Sequence, residues 1–286
     1  LVDTATRVAA GFDVNFGKVP VIALGAKHGN TCGAAVEDDV VSAIRWMLDG
    51  DLIAIFGGVV LLTCPVGKVE AELLRTHSMP EGQKRLLDGV IAPSFTEEAV
   101  AILGRKGGKC RCIANPALAT LTRASLDSAP RLRPVRGGFL MQPANTFVFD
   151  LNDPRLKVYG SLSNADRIDI ILGWAVGSTS TSNTITLVRQ SMMIANAVGQ
   201  QDRVGAAQLA IMRGQRHWVD LHGTVACSDS FFPFPDGPET LIKAGIRTIF
   251  ASSGSVKDEA VIAVCKAADV TLVMMPDKDC RGFYGH

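Results

Sequence analysis

Short apolar runs alternate with stretches of helical period along most of the chain, and this alternation limits the fold more than any other feature. Residues 19–26 are typical of a buried strand, and residues 40–48 repeat apolar side chains at helical spacing. The alternation continues to a final predicted strand at residues 270–275. Because crossover helices must cover the faces of a sheet, repeated βα units predict a layered α/β fold.

The alternation is interrupted once, near the middle of the chain. From residue 115 to about 156, prolines, arginines and a glycine pair replace the apolar runs, which predicts a loop-rich connection. A helix at residues 165–176 and a hairpin at residues 183–188 and 192–198 then restart the pattern. We therefore predict two α/β lobes, covering residues 1–130 and 131–286.

Charge and composition exclude several classes of partner. The 29 basic and 28 acidic residues leave a formal charge of +1, which provides no bulk attraction to nucleic acid or to an anionic membrane. No apolar run approaches the roughly 18 residues that a membrane span requires. Seven scattered cysteines, an odd number, and the lack of a basic and apolar leader favour reduced thiols in a cytoplasmic protein.

A lysine and a histidine occur together at the end of the first predicted strand, in the stretch AKHGN. Alone, Lys27 is best interpreted as a solvated surface charge and His28 as a hydrogen-bonded structural histidine. Together they point to chemistry, because a neighbouring ammonium favours the neutral imidazole that accepts a proton near pH 7. Candidate sites in α/β folds lie where strands end and loops converge.

A second unusual stretch, SDSFFPFPDG, covers residues 228–237. Its two prolines remove backbone donors and fix the backbone, so it forms neither a regular helix nor an internal strand. We predict a rigid loop in which Phe232 and Phe234 form a hydrophobic plug between the lobes. Phe231, the ring nearest to Asp229, is placed to stack on a flat heterocycle.

A series of motifs keeps a fixed order along the chain: KHGNTCG, IFGG, DGVIAPSFTEEAVAIL, RPVRGG, GQQDR, SDSFFPFPDG, SSGSVKDEAVI and RGFYGH. In this order they resemble AICAR formyltransferase, the transformylase part of bifunctional purine biosynthesis proteins, over nearly the whole chain. The resemblance implies two cytidine-deaminase-like three-layer α/β/α lobes, and a homodimer with active sites at its interface. It also implies transfer of a formyl group from the cosubstrate 10-formyltetrahydrofolate to the 5-amino group of AICAR, giving FAICAR in de novo purine biosynthesis.

The resemblance assigns catalytic roles to four residues. His28 matches a base or proton shuttle that takes a proton from the weakly nucleophilic AICAR amine. Lys27 is expected to tune His28 and to stabilise developing negative charge, and Asn183 to orient the reacting groups and bond the tetrahedral intermediate. Asp88 matches the acidic residue before the GxIAP turn. The implied mechanism uses no metal.

The resemblance also assigns a set of substrate-binding residues, which contact the nucleotide or line the same site: Phe56, Gly57, Arg203, Phe231, Asp236 and Arg281. Without its motif, Arg203 would be interpreted as part of a helix-surface salt bridge worth about 0.5 kcal/mol.

Several features depart from the family pattern. Thr31 replaces a proline, and Ala195 and Ala197 replace glycines, so their methyl groups are expected to narrow space near the ligand. Neither the cyclohydrolase domain nor the RYGxNPHQ segment that helps to hold the nucleotide is found in these 286 residues. We therefore expect a stand-alone formyltransferase that does not close the IMP ring.

Other activities were weighed against the motifs. A zinc deaminase requires H-x-E and P-C-x-x-C, and a P-loop requires G-x-x-x-x-G-K-[ST]; the sequence has neither. A nucleophilic Cys32 would need His28 as its base, across a glycine turn. A non-catalytic homologue that binds a purine nucleotide or folate as a regulator or partner subunit stays open, as does formate with ATP as the formyl donor.

Overall fold

A computed structural model describes residues 1–217 and 220–280 of the protein. The helices of this part are α1 Val2–Phe16, α2 Val40–Gly50, α3 Lys68–Thr76, α4 Glu97–Leu103, α5 Asn164–Gly177, α6 Arg203–Gln215, α7 Asp236–Lys243, α8 Asp258–Ala267 and α9 Asp277–Cys280. The strands are β1 Val21–Lys27, β2 Asn30–Glu37, β3 Gly58–Leu62, β4 Leu87–Ala92, β5 Arg111–Ala114, β6 Arg131–Val135, β7 Gly138–Gln142, β8 Lys157–Tyr159, β9 Ile185–Arg189, β10 Met192–Ala197, β11 Val225–Ser228, β12 Thr248–Ser253 and β13 Thr271–Pro276.

One mixed sheet runs through the described part of the protein, in the order β5-β4-β3-β1-β2-β10-β9-β11-β12-β13-β8. It contains the same unit twice, because β1 to β5 and β9 to β13 each form an antiparallel hairpin followed by three mutually parallel strands. The two units meet at β2 and β10, which pair antiparallel with Met192 opposite Ala35. The units therefore face opposite ways within the sheet.

Helices cover both faces of this sheet. Helices α1 and α5 share one apolar core with alternate residues of β1, among them Ile22 and Leu24, while Ala23 faces the core formed with α2, α3 and α4. Helices α6, α7 and α8 cover the second unit on the same face as α2 to α4. The predicted α/β class with three layers is confirmed, and the boundary at residue 130 stays a prediction.

Several elements differ from the sequence-based expectations. Helix α1 and strands β2 and β8 were not predicted, and the expected loop region contains the β6–β7 hairpin. Residues 52–57 form turns that end at Gly57, whose φ is positive at 75°, before β3 begins. Helix α4 is capped by Thr96, whose hydroxyl accepts a hydrogen bond from the Ala99 N–H.

The antiparallel join between the two units places particular strand ends at one edge of the sheet. The carboxyl end of β1 and the amino ends of β3 and β4 lie at this edge, together with the amino end of β9 and the carboxyl ends of β10 and β11. We call it the site edge. Within the described residues, none of the helices combines the length and apolar character needed to cross a bilayer.

Candidate functional site

The turn between β1 and β2 presents the lysine and histidine at the site edge. His28 and Gly29 both have positive φ, 52° and 80°, as in the two-residue type I′ turn whose twist matches that of paired strands. This conformation leaves the His28 side chain exposed at the tip of the hairpin. The Lys27 ammonium folds back instead and donates a hydrogen bond of 2.7 Å to the Phe56 carbonyl oxygen.

The turn before β3 therefore lies beside Lys27. The Gly57 N–H donates to the Leu86 carbonyl at 2.8 Å, and a side chain at Gly57 would project to 4.0 Å from the Lys27 ammonium. The Phe56 ring is 42% exposed and free to contact a ligand. The structure thus brings together three predicted site residues, Lys27, Phe56 and Gly57.

Asp88 lies on β4 near the same edge, in an exposed position. Its carboxylate accepts a hydrogen bond of 2.9 Å from Arg105, which also donates to the Leu87 carbonyl. The Arg105 guanidinium therefore already neutralises the carboxylate that was predicted to act in the site.

A second group of predicted residues surrounds Arg203, the first residue of α6. The Arg203 Nη2 donates to the Asn183 side-chain oxygen at 2.7 Å, and Nη1 forms an ion pair with the Asp229 carboxylate. The Ser228 hydroxyl accepts a third hydrogen bond at 3.2 Å. Only 8% of the Arg203 side chain is exposed, so its interactions with the protein itself dominate.

A pocket of about 430 Å³ opens beside this group, and its lining includes Asn183, Arg203, Phe231, Phe234 and Asp236. Four of these five residues were predicted from the sequence. Asp236 begins α7, and one of its carboxylate oxygens accepts a hydrogen bond from the Gly237 N–H.

The three phenylalanines of the loop take different positions. Phe232 is buried to 1% exposure against Gly237, in the core of the second unit, and its predicted role as a plug between the lobes stays a prediction. Phe234 is 55% exposed and lines the pocket, so its prediction as a plug was wrong. Pro233 and Pro235 restrict the backbone on either side, and the exposed Phe234 ring is available to a ligand.

One hydrogen bond ties the residue after the His28 turn to the loop that leads to Asn183: the Asn30 side-chain oxygen accepts from the Thr181 N–H at 2.9 Å. A second bond joins β10 to β2, where the Asn196 amide donates to the Thr31 carbonyl at 3.0 Å. These bonds cross the junction between the two sheet units. The turn that carries His28 and the loop that carries Asn183 therefore share one edge, although their sequence positions differ by about half the chain.

The departures from the family pattern do not fill the pocket. Ala195 and Ala197 are buried in the core beside α6, so the expected narrowing by their methyl groups was wrong. Thr31 is buried in β2, where the pairing with β1 shifts register next to Ala26. Arg281 lies outside the described residues.

One alternative from the sequence, a nucleophilic Cys32, loses support. Burial raises the pKa of the Cys32 thiol to about 12, with Asp51 adding to the effect, so the nucleophilic thiolate is scarce near pH 7. Among the described residues, no three or more histidine, cysteine or acidic side chains are grouped as a metal would require. Asp229, the ion-pair partner of Arg203 beside the pocket, was not among the predicted site residues, although it lies within the unusual SDSFFPFPDG stretch.

Comparison with known proteins identifies relatives over most of the chain. The model of the AICARFT/IMPCHase bienzyme family matches residues 2–213. A bifunctional purine biosynthesis protein PurH from Bacillus mycoides (strain KBAB4) is 32% identical over 247 residues, which are 86% of this chain and 45% of the relative. PurH of Bacillus cereus (strain ATCC 14579) is 33% identical over 248 residues, with the same coverage. The chain thus spans about half the length of the curated relatives it matches.

Proposed function

This chain belongs to the AICARFT/IMPCHase bienzyme family, and from that premise we propose that it transfers a formyl group from 10-formyltetrahydrofolate to the 5-amino group of AICAR. The observation that carries the proposal is the shared edge, where the Asn30–Thr181 hydrogen bond joins the Lys27–His28 turn to the Asn183 loop. A base, a cation and an amide donor at one edge suit acyl transfer to an amine.

In this proposal each group has one task. His28, exposed at the tip of the turn, accepts the proton that the AICAR amine loses as it attacks the formyl carbon. It then returns this proton to N10 of the folate as the bond between N10 and the formyl carbon breaks, which releases tetrahydrofolate. Lys27 and the Asn183 amide stabilise the negative charge that develops on the formyl oxygen. Asp88 bonded to Arg105 supports the amino end of β4 beside them.

The pocket beside Arg203 is the proposed place for the flat heterocycle of a substrate. Phe231 and Phe234 provide aromatic faces, and Asp236 provides a carboxylate at the rim. Aromatic rings pack well against planar conjugated ligands, which favours this region for the heterocycle. Phe56 and Gly57 would contact the substrate from the side of the first unit.

We also propose that the protein acts as a homodimer with sites at the interface, as the family resemblance implies. Light scattering at micromolar concentration should give twice the mass of the 30.3 kDa chain. A single monomeric species that turns over at the full rate would contradict the shared-site part of the proposal.

The function can be tested by the absorbance change that accompanies release of tetrahydrofolate from 10-formyltetrahydrofolate in the presence of AICAR. Turnover should disappear in His28→Asn, because the base is lost while asparagine accommodates the positive φ of 52° at this exposed position. His222→Asn is the matched control, since His222 is also exposed but precedes β11 at the opposite edge of the sheet.

Equal turnover in both variants would remove His28 from the proposed role of base. If the wild-type protein binds AICAR but shows no turnover with either 10-formyltetrahydrofolate or formate and ATP, a non-catalytic nucleotide-binding role replaces the transferase proposal.

A further inference from the structure

Asp229 lies behind the Asn183 pocket, and its side chain is only 1% exposed. We propose that Asp229 is a positioning residue that acts through Arg203 to fix the direction in which the Asn183 amide points. The inference rests on the proposed formyl transfer for its kinetic consequences, but its geometry stands on the contacts of these three side chains.

The Arg203 guanidinium connects the other two residues. Its two terminal nitrogens diverge, so that Nη1 meets the Asp229 carboxylate and Nη2 meets the Asn183 oxygen. A guanidinium is planar and rigid, which means that fixing one nitrogen fixes the other. The carboxylate therefore sets the orientation of the group that holds Asn183.

The contact with Arg203 determines which end of the Asn183 amide faces the pocket. Arginine has donors and no acceptor, so the Asn183 atom that it contacts must be the oxygen. The amide nitrogen is then directed elsewhere, and it has no acceptor among the described residues. Since Asn183 lines the pocket, its N–H groups are available to a developing oxyanion.

The first unit shows which chemical group is sufficient at the position equivalent to Asp229 for the two strands to pair. Asp229 and Thr184 exchange two hydrogen bonds at the end of the β9–β11 pair, one from each backbone N–H. In the first unit, Thr63 and Ile22 exchange the same two bonds, and a threonine hydroxyl takes the place of the carboxylate. A neutral hydroxyl is therefore sufficient to join these strands.

The position of Arg203, the partner of the Asp229 carboxylate, is also occupied by an uncharged residue in the first unit. Arg203 begins α6 directly after its cap Asp202, whereas Val40 begins α2 directly after its cap Asp39. The acid and the arginine thus occur together in the unit that carries Asn183, and both are replaced by uncharged residues in the other. Charge at these two positions is not required by the fold.

Energetics also argue against a purely structural role. The second oxygen of Asp229 is buried and has no hydrogen-bond partner within the described residues. A buried carboxylate with an unsatisfied oxygen is costly, and a buried ion pair is poor evidence for stability. A role in orienting Arg203 explains why the buried Asp229 carboxylate is present although it adds little to stability.

The test replaces Asp229 in two ways that keep an acceptor for the Thr184 N–H. Asp229→Asn preserves the shape without the charge, and Asp229→Thr reproduces the residue found at the equivalent Thr63. Both leave the buried Arg203 without its ion-pair partner, so each should fold with reduced stability, which circular dichroism checks. Both should lower kcat for AICAR about 100-fold, the usual effect of losing one oxyanion donor, with little change in KM.

A double-variant comparison separates positioning from general damage. If Asp229 acts through Asn183, adding Asp229→Asn to Asn183→Ala should cause no further loss of kcat, because the effects of coupled residues do not add. Asp169→Asn is the matched control: Asp169 is equally buried but holds the β9–β10 turn at the opposite edge, so kcat should not change. Additive losses would overturn the inference.

A substrate-independent measurement keeps the two proposals distinguishable. In protein labelled with ¹⁵N-asparagine, the side-chain signals of Asn183, identified by their loss in Asn183→Asp, should shift in Asp229→Thr and stay unchanged in Asp169→Asn. Signals that shift without AICAR turnover in the wild type would support the positioning role and refute the transferase. Unchanged Asn183 signals and unchanged kcat in Asp229→Thr would refute the positioning role alone.

Discussion

Asp169 gives the protein a predictable dependence of stability on pH. This carboxyl on α5 is 3% exposed and accepts hydrogen bonds from the N–H groups of Gln190 at 3.0 Å and Ser191 at 2.7 Å. Burial raises its pKa to about 6, and the nearby Asp166 adds to the rise, against the opposing effect of the two N–H donors. The ionised form of Asp169 is therefore destabilised relative to the protonated form in the folded protein.

The size and the sign of the effect follow from this pKa. A tenfold change in an equilibrium constant is worth about 1.4 kcal/mol, so a rise from 3.8 to about 6 corresponds to about 3 kcal/mol. Because the folded protein binds this proton more tightly than the unfolded chain, the contribution is fully present below pH 3.8. It is lost as the pH rises through about 6.

Urea unfolding of the wild type and of Asp169→Asn between about pH 4 and pH 8 isolates this contribution, since other carboxyl groups titrate alike in both proteins. The free energy of unfolding of the wild type, minus that of the variant, should fall by about 2.5 kcal/mol across the range, because part of the full contribution is already lost at about pH 4. A difference that stays constant with pH would refute the assignment of a raised pKa to Asp169.

Two further predictions concern packing and thiol reactivity. Gly33→Ala places a methyl group 2.4 Å from the Met47 carbonyl oxygen and should lower the free energy of unfolding, measured by urea titration, by about 1–3 kcal/mol. Gly138→Ala is the control and should have no such effect, because a methyl group there would meet no atom within 4 Å. Cys32, whose pKa burial raises to about 12, should resist iodoacetamide at about pH 8 in the native protein when measured by mass spectrometry; labelling as fast as in the urea-unfolded chain would contradict this.

The elements that the sequence predicts well are those with a strong periodic signal. Apolar spacing locates α2 at Val40–Gly50, and the β-rich run before the glycine of GQQDR locates β10 at Met192–Ala197. Strand β2 was missed because its residues, NTCGAAVE, are mostly small and carry one β-branched apolar side chain. Its pairing with β1 and β10 makes it a strand, and such pairing cannot be read from local composition.

The site likewise contains features that short stretches of sequence predict and features that depend on the pairing of distant strands. The turn of His28 and Gly29 follows from adjacent residues, and motif order points to Asn183 and Arg203. The role of Asp229 depends on the register of β11 against β9, which places it opposite Thr184 and beside α6. No pattern within a short window contains that register, so the positioning role emerges only from the assembled sheet.

The internal repeat explains why the site uses strand ends of opposite sense. Because β2 and β10 join antiparallel, the first unit contributes the amino ends of β3 and β4, and the second contributes the carboxyl end of β11. The opposite edge contains the equivalent turn, in which Gln190 and Ser191 have positive φ of 53° and 64°. There Arg189 and Gln190 replace Lys27 and His28. The two edges thus share one backbone arrangement, but the imidazole, the ammonium and the Asp229–Arg203 pair are found at only one of them. The proposed chemistry is therefore determined by side chains at a few strand ends and not by the fold itself.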